Sequence, residues 1–309
     1  MTIRDTGHHV PHGDRTEPRG TAPLRAAPLG PFVVASLLAL AGVFGTYLFF
    51  VRTTTGQYID ESALVEATQL YGGRAARAGL RFLDDLPALS VGVGFLALGY
   101  AALVRRRWLA SLVALAAAVG ANLATQVLKA DVFTRPFRGI ETITENSLPS
   151  GHTTLAASAA AAVFLVASPR WRPLVAFAGG TYAVGTGAAT LVNQWHRPAD
   201  IVAAFLVVAV FMAPAAWIVL RTGPEWNSWG GFGSHVGSLR LWIVLPTLAG
   251  LVAAAVAVVE LVRIAPVLGQ ETSTTNYFWA GLAFIMISGY LVSTAASWLV
   301  GSATKGHPA

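Results

Sequence analysis

The sequence predicts an all-α fold, a polytopic bundle of membrane-spanning helices, on three observations. Of its 309 residues 54% are hydrophobic and only 12% charged, about half the charged share of a soluble domain. Apolar stretches of roughly 20 residues, the length a helix needs to cross about 30 Å of hydrocarbon, recur along most of the chain. Basic clusters such as Arg105-Arg106-Arg107 and Arg170-Trp171-Arg172 fall between those stretches, where membrane topology needs them.

Residues 1–30 hold four arginines and four prolines without apolar periodicity, which predicts a disordered cytoplasmic arm. No small-residue cleavage site with a mature soluble domain follows, so this start is not read as a signal peptide. Eight spans are then expected, at about 31–51, 86–104, 108–128, 153–168, 174–192, 200–220, 241–263 and 277–299. With the arginine-rich start inside, the arginine-bearing loops 105–107, 169–173 and 221–240 also fall inside. The segments 52–85, 129–152, 193–199 and 264–276 then lie outside, and the carboxy terminus with Lys305 returns to the cytoplasm. This places the chain in the cell membrane as a multi-pass protein. The outer loop 52–85 carries Asp60, Glu61, Glu66, Arg74, Arg77 and Arg81 among Ala63, Leu64 and Ala67. It is expected to form short surface helices, either a connector or a lid. Residues 221–240 read as a flexible inner connector, and 241–309 as two additional spans with a short tail.

The excess of 21 Lys+Arg over 15 Asp+Glu gives +6, but its distribution follows the loops, and nucleic-acid binding has no separate support. The absence of cysteine excludes disulfides and thiolate metal sites. No metal or other cofactor is expected.

Three polar clusters interrupt the apolar chain, and the topology puts all three on the outer side. In Lys129-Ala-Asp-Val-Phe-Thr-Arg135-Pro136, two neighbouring cations suit a phosphate, Arg as a planar fork and Lys as a point charge. Alone they also suit interfacial anchors that snorkel to the headgroups. In Pro149-Ser150-Gly151-His152, Ser150 can cap the next helix and leave free N–H groups for an anion. Gly151 lets the backbone approach closely and His152 can exchange a proton; plain capping is the bland alternative. In His196-Arg-Pro-Ala-Asp200, a carboxylate four residues on can hold one imidazole nitrogen, leaving the other to attack phosphorus or accept a proton. Asp200 could equally be only a favourable charge at a helix start. Each cluster is weak alone. Together they supply attack, charge neutralisation and leaving-group protonation without metal.

On these motifs the chain resembles the type-2 phosphatidic-acid phosphatase superfamily, which also includes vanadium haloperoxidases. The resemblance covers roughly 125–205, and residues 31–220 fit the six-span core of the family's membrane branch. It implies His196 as the nucleophile that forms a phosphohistidine, Asp200 orienting it and His152 as acid to the leaving oxygen. Lys129, Arg135, Ser150 and Gly151 would hold the phosphate. Two positions depart from the pattern. Five residues, not six, separate Lys129 from Arg135, and Thr190, after Ala189, stands where the third motif has Arg. Arg138 and Arg197 are the candidates to replace that charge.

The resemblance implies hydrolysis of a phosphate or diphosphate monoester on a membrane lipid, such as a polyprenyl diphosphate or phosphatidic acid. The alternatives are transfer of the phosphoryl group to another acceptor and a catalytically weak lipid-phosphate binding or transport protein. The expected partners are the phosphorylated lipid and the bilayer. Glu260 and Arg263, three apart, read as a local ion pair. Nothing in the last two spans specifies a homo-oligomer.

Overall fold

The computed structural model describes residues 27–71, 74–140, 145–228, 230–269 and 275–304. The expected disordered arm through residue 26 and Lys305 lie outside the described residues. Among these residues all regular structure is helical: α1 Gly30–Thr46, α2 Thr54–Tyr71, α3 Arg74–Gly99, α4 Trp108–Val127, α5 Gly151–Val166, α6 Arg172–Val192, α7 Pro198–Thr222, α8 Pro224–Asn227, α9 Leu241–Ile264 and α10 Asn276–Ala303. Proline in the first turn opens α1, α6 and α7, where its missing N–H costs nothing. Wider π turns extend α1, α3 and α4 through Tyr47–Val51, Tyr100–Val104 and Leu128–Val132.

Seven of these helices are long and apolar enough to cross a membrane, and the chain is a multi-pass membrane protein. The fourth expected span, 153–168, is α5, apolar but only 16 residues long, or about 24 Å at the rise of an α-helix. Helix α7 is the central post: half of its apolar window (50%) is buried against 17% for the first and ninth helices. It packs on α1, α4, α5 and α10. Leu37, Leu38, Phe95, Leu96, Leu123, Leu251 and Val262 stay exposed, the apolar surface that hydrocarbon covers. Contacts between helices run through small residues. A Cβ on Gly281 of α10 would lie 2.6 Å from the Pro198 ring and 3.1 Å from Ala63 of α2, so three helices meet there at backbone distance.

The stretch 52–85 differs from the expected short surface helices. It is one 18-residue helix, α2, and then the beginning of α3. Gln57, Asp60, Ala63, Leu64 and Ala67 of α2 are buried on one side, at the spacing of a helical face. Acids can lie on that buried face because each one meets a cation or a free helix N–H. Glu66 Oε2 accepts the Phe278 N–H at 2.8 Å, in the first turn of α10. Asp60 Oδ1 accepts the Ala199 N–H at 2.9 Å, in the first turn of α7. Helix α2 is therefore a clip across the starts of two spans.

The opposite end of the bundle is held by arginine and tryptophan. Arg107 lies 3.8 Å from the ring centre of Trp226 and donates to the Val166 carbonyl at 2.9 Å. Arg172 donates to the Leu165 carbonyl at 3.1 Å. The last carbonyls of α5, left without intrahelical partners, are thereby satisfied. A cavity of about 660 Å³ opens at this end beside Arg105, Arg106 and Trp108. It contains none of the residues of the three motifs.

Candidate active site

The three motifs converge at the ends of α4 and α6 and the beginnings of α5 and α7. His196 sits in the short link between α6 and α7. The backbone N–H groups of Trp195 and His196 both donate to the Thr190 carbonyl, at 2.9 and 3.3 Å. Gln194 takes a positive φ of 59° to make the turn, a strained conformation for a non-glycine residue. These bonds deliver the imidazole to the start of α7. There, Asp200 is the third helical residue, and its Oδ2 accepts the Arg197 N–H at 3.0 Å, closing a capping box.

The same Oδ2 lies 3.1 Å from His196 Nδ1. It also accepts the Ser147 hydroxyl at 2.7 Å. An oxygen that accepts from two other donors is a carboxylate oxygen, so Nδ1 carries the proton and Nε2 the lone pair. The second motif is tied to the third through the backbone, because Ser150 N–H donates to the Asp200 carbonyl at 2.9 Å. Ser150 is fully buried and caps α5, its Oγ accepting from Thr153 N–H at 3.4 Å. Next to it, a Cβ on Gly151 would meet only Gln126, at 3.6 Å; the chain itself leaves that side open. His152 is half-buried one residue further on, 5.1 Å between ring centres from Trp195. Its titratable neighbours are His196 and Lys129.

Lys129 is carried by the π turn that ends α4, a widening typical of functional positions in helices. Its carbonyl accepts from Asn146 Nδ2 at 3.2 Å, and its ammonium faces Asp200 and His152. Arg135 is almost fully buried. Its Nη2 is 3.7 Å from Glu61 Oε2, while Nε and Nη2 form no hydrogen bond. Burial and the neighbouring Arg197 hold its guanidinium below the usual arginine range.

The structure thus brings His196, Asp200, Ser150, Gly151, His152 and Lys129 around one point, with Arg135 beside them under α2. Thr190 contributes no charge: its Oγ1 donates to the Gly187 carbonyl at 2.8 Å. Of the two candidates to replace that charge, Arg138 donates to the Arg52 carbonyl at the end of α1, at 3.1 Å. Arg197 lies inside the site, fully buried, with Nε 2.6 Å from Glu61 Oε2 and Nη1 2.8 Å from Ser147 Oγ. Burial opposes its charge, but Asp200 and Glu61 outweigh burial and hold its proton more firmly than usual. Asp60 completes the cluster. Burial first, then the charge of Asp200, push its carboxyl up to about 8.

Ser147, Asp60 and Glu61 are the site residues that the sequence reading did not single out. For the acids a signal existed, since Gln57, Asp60, Ala63, Leu64 and Ala67 recur at helical spacing. Ser147 gave none.

No curated protein and no solved structure matches the chain. Residues 107–224 match the family model of the PAP2 superfamily. That segment runs from the residue before α4 to the first residue of α8 and contains all three motifs. That segment is a domain of the PAP2 superfamily, the type-2 phosphatidic-acid phosphatases.

Proposed function

We propose that the protein is a membrane lipid phosphatase that removes a terminal phosphate from a phosphate or diphosphate monoester through a phosphohistidine on His196. The observation that carries this reading is the single oxygen of Asp200 that holds His196 Nδ1 at 3.1 Å. It leaves Nε2 as a nucleophile, with His152 near the ring and Lys129 near His152. Nε2 attacks phosphorus and the bond to the lipid oxygen breaks, with His152 giving that oxygen its proton. Water then attacks phosphorus and gives a proton back to His152; the P–N bond breaks, inorganic phosphate leaves, and His196 is free again. Lys129, the unsatisfied Nε and Nη2 of Arg135 and the first N–H groups of α5 beside Ser150 and Gly151 offset the charge on the phosphoryl oxygens. No metal takes part in this sequence.

The arginines gathered at the opposite end, Arg105, Arg106, Arg107, Arg170 and Arg172, support a cytoplasmic position for that end. The catalytic end then faces outward, with both termini in the cytoplasm of the cell membrane. A lipid places its phosphate in the site while its tails stay in the bilayer.

The test is release of inorganic phosphate by the purified protein from a panel of lipid phosphates, including phosphatidic acid and a polyprenyl diphosphate. Wild type should release phosphate, vanadate should inhibit and chelators should not. His196→Ala should lose at least about a thousandfold, the scale of removing an activated nucleophile; undiminished activity would refute the mechanism. One observation favours a second reading. With Thr190 uncharged and Arg135 beside Glu61, a silent site would bind lipid phosphate without turnover by wild type.

A further inference from the structure

We propose that helix α2, outside the segment that matches the family, is part of the catalytic centre, with Glu61 positioning His196 and Asp200 through Arg197 and Ser147. The inference rests on the phosphatase reading above and adds a residue to it.

The chain of contacts is continuous and short. Glu61 Oε2 lies 2.6 Å from Arg197 Nε, Arg197 Nη1 lies 2.8 Å from Ser147 Oγ, and Ser147 Oγ lies 2.7 Å from Asp200 Oδ2. Asp200 Oδ2 then meets His196 Nδ1 at 3.1 Å. Hydrogen-bond polarity gives this chain a direction. A guanidinium only donates, so Ser147 Oγ must accept from Arg197, and its single proton is left for Asp200. Remove Arg197 and the hydroxyl can turn away. Remove the Glu61 charge and the guanidinium loses the anion that fixes its plane.

The charges point the same way. The groups that face the His196–Asp200 pair are Asp60 and Glu61 from α2, Lys129 and Arg135 from the end of α4 and beyond, His152 from α5, and Arg197 from the same link. Three of these are fixed cations. When His196 takes up a phosphoryl group its ring becomes cationic, and Glu61 is the acid that stands between two of the fixed cations, Arg135 and Arg197. Without Glu61 both guanidiniums would oppose that new charge. Glu61 is thus a positioning residue: it acts through Arg197 and touches no reacting atom.

The test uses the full chain in lipid vesicles with Glu61→Gln, Glu61→Asp, Ser147→Ala and the combined Glu61→Gln/Ser147→Ala. Phosphate release should show kcat about tenfold lower in Glu61→Gln with KM changed less than about twofold, as for a loss of orientation. The acid limb of the pH profile should move to lower pH, because a negative charge near the imidazolium is gone. Glu61→Asp should recover part of the loss. The combined variant should lose no more than the worse single one, since both changes cut one path. Unchanged kcat and acid limb in Glu61→Gln, or fully additive losses, would overturn the proposal.

A wild type that releases no phosphate would fail the phosphatase reading, not this one. The imidazole titration of His196, followed by NMR with labelled histidine and assigned by its loss in His196→Ala, decides the matter in that event. A lower midpoint in Glu61→Gln supports the positioning role and an unchanged midpoint overturns it. If Glu61→Gln does not fold, Ser147→Ala takes its place: a midpoint raised because Asp200 loses a competing donor supports the path, and an unchanged midpoint overturns it.

Discussion

Asp60 has the most unusual environment of any residue in the site. Its Oδ1 accepts from α7 and its Oδ2 is buried without a hydrogen-bond partner. Burial and Asp200 push the carboxyl up from 3.8 to about 8. The folded chain keeps this proton where the unfolded chain has lost it. Its contribution to stability is therefore full below about pH 4, declines as pH rises and levels off above about pH 8. In Asp60→Asn that decline should vanish: the melting temperature of the wild type should fall more between pH 5 and 8 than that of the variant. Parallel curves would mean that Asp60 is ionised in the folded protein. At this scale the sequence was readable where geometry is local. His196 and Asp200 are one helical turn apart with Pro198 between them, and that spacing alone places a carboxylate against an imidazole. The contacts of Asp200 with Ser147 and of Arg197 with Glu61 cross 53 and 136 residues of chain. No local pattern encodes such pairs.

Among the elements, α2 shows why a charged amphipathic stretch is easily assigned to the surface. Its acids look solvated when only their own segment is considered. They are buried because α7 and α10 each begin with free N–H groups and because Arg135 and Arg197 need counter-charges. The spans themselves were legible from length and hydropathy, and seven reappear as apolar helices of spanning length. The junction of α2, α7 and α10 closes on Gly281, where a methyl group would press on the rigid ring of Pro198. Gly281→Ala should cost about 1–3 kcal/mol as overpacking and should lower phosphate release by moving the start of α7. Gly45→Ala, with nothing within 4 Å of the new Cβ, serves as the comparison. Equal thermal stability and activity in the two variants would show that the junction tolerates spreading.

At the scale of the whole molecule, the two ends differ in chemistry. One gathers histidines and acids with their counter-cations, and the other gathers arginines on tryptophan rings and helix carbonyls. The six helices α1 and α3 to α7 lie within residues 30–222. Helices α9 and α10 add to them, and α10 also receives the clip of α2. Glu260 and Arg263 form the expected local pair, at 3.0 Å.

The 16 residues of α5 have one more implication. A rod of about 24 Å cannot reach both faces of hydrocarbon about 30 Å thick. Its far end is anchored by Arg107 and Arg172, so the shortfall of several ångströms falls at Ser150. On the proposed function the floor of the site would then lie below the headgroup plane, and the lipid would have to dip to meet it. Turnover should accordingly depend on the thickness of the surrounding membrane: faster in vesicles of short-chain lipid, slower in long-chain ones, with the substrate held the same. A rate indifferent to chain length would place the site level with the surface.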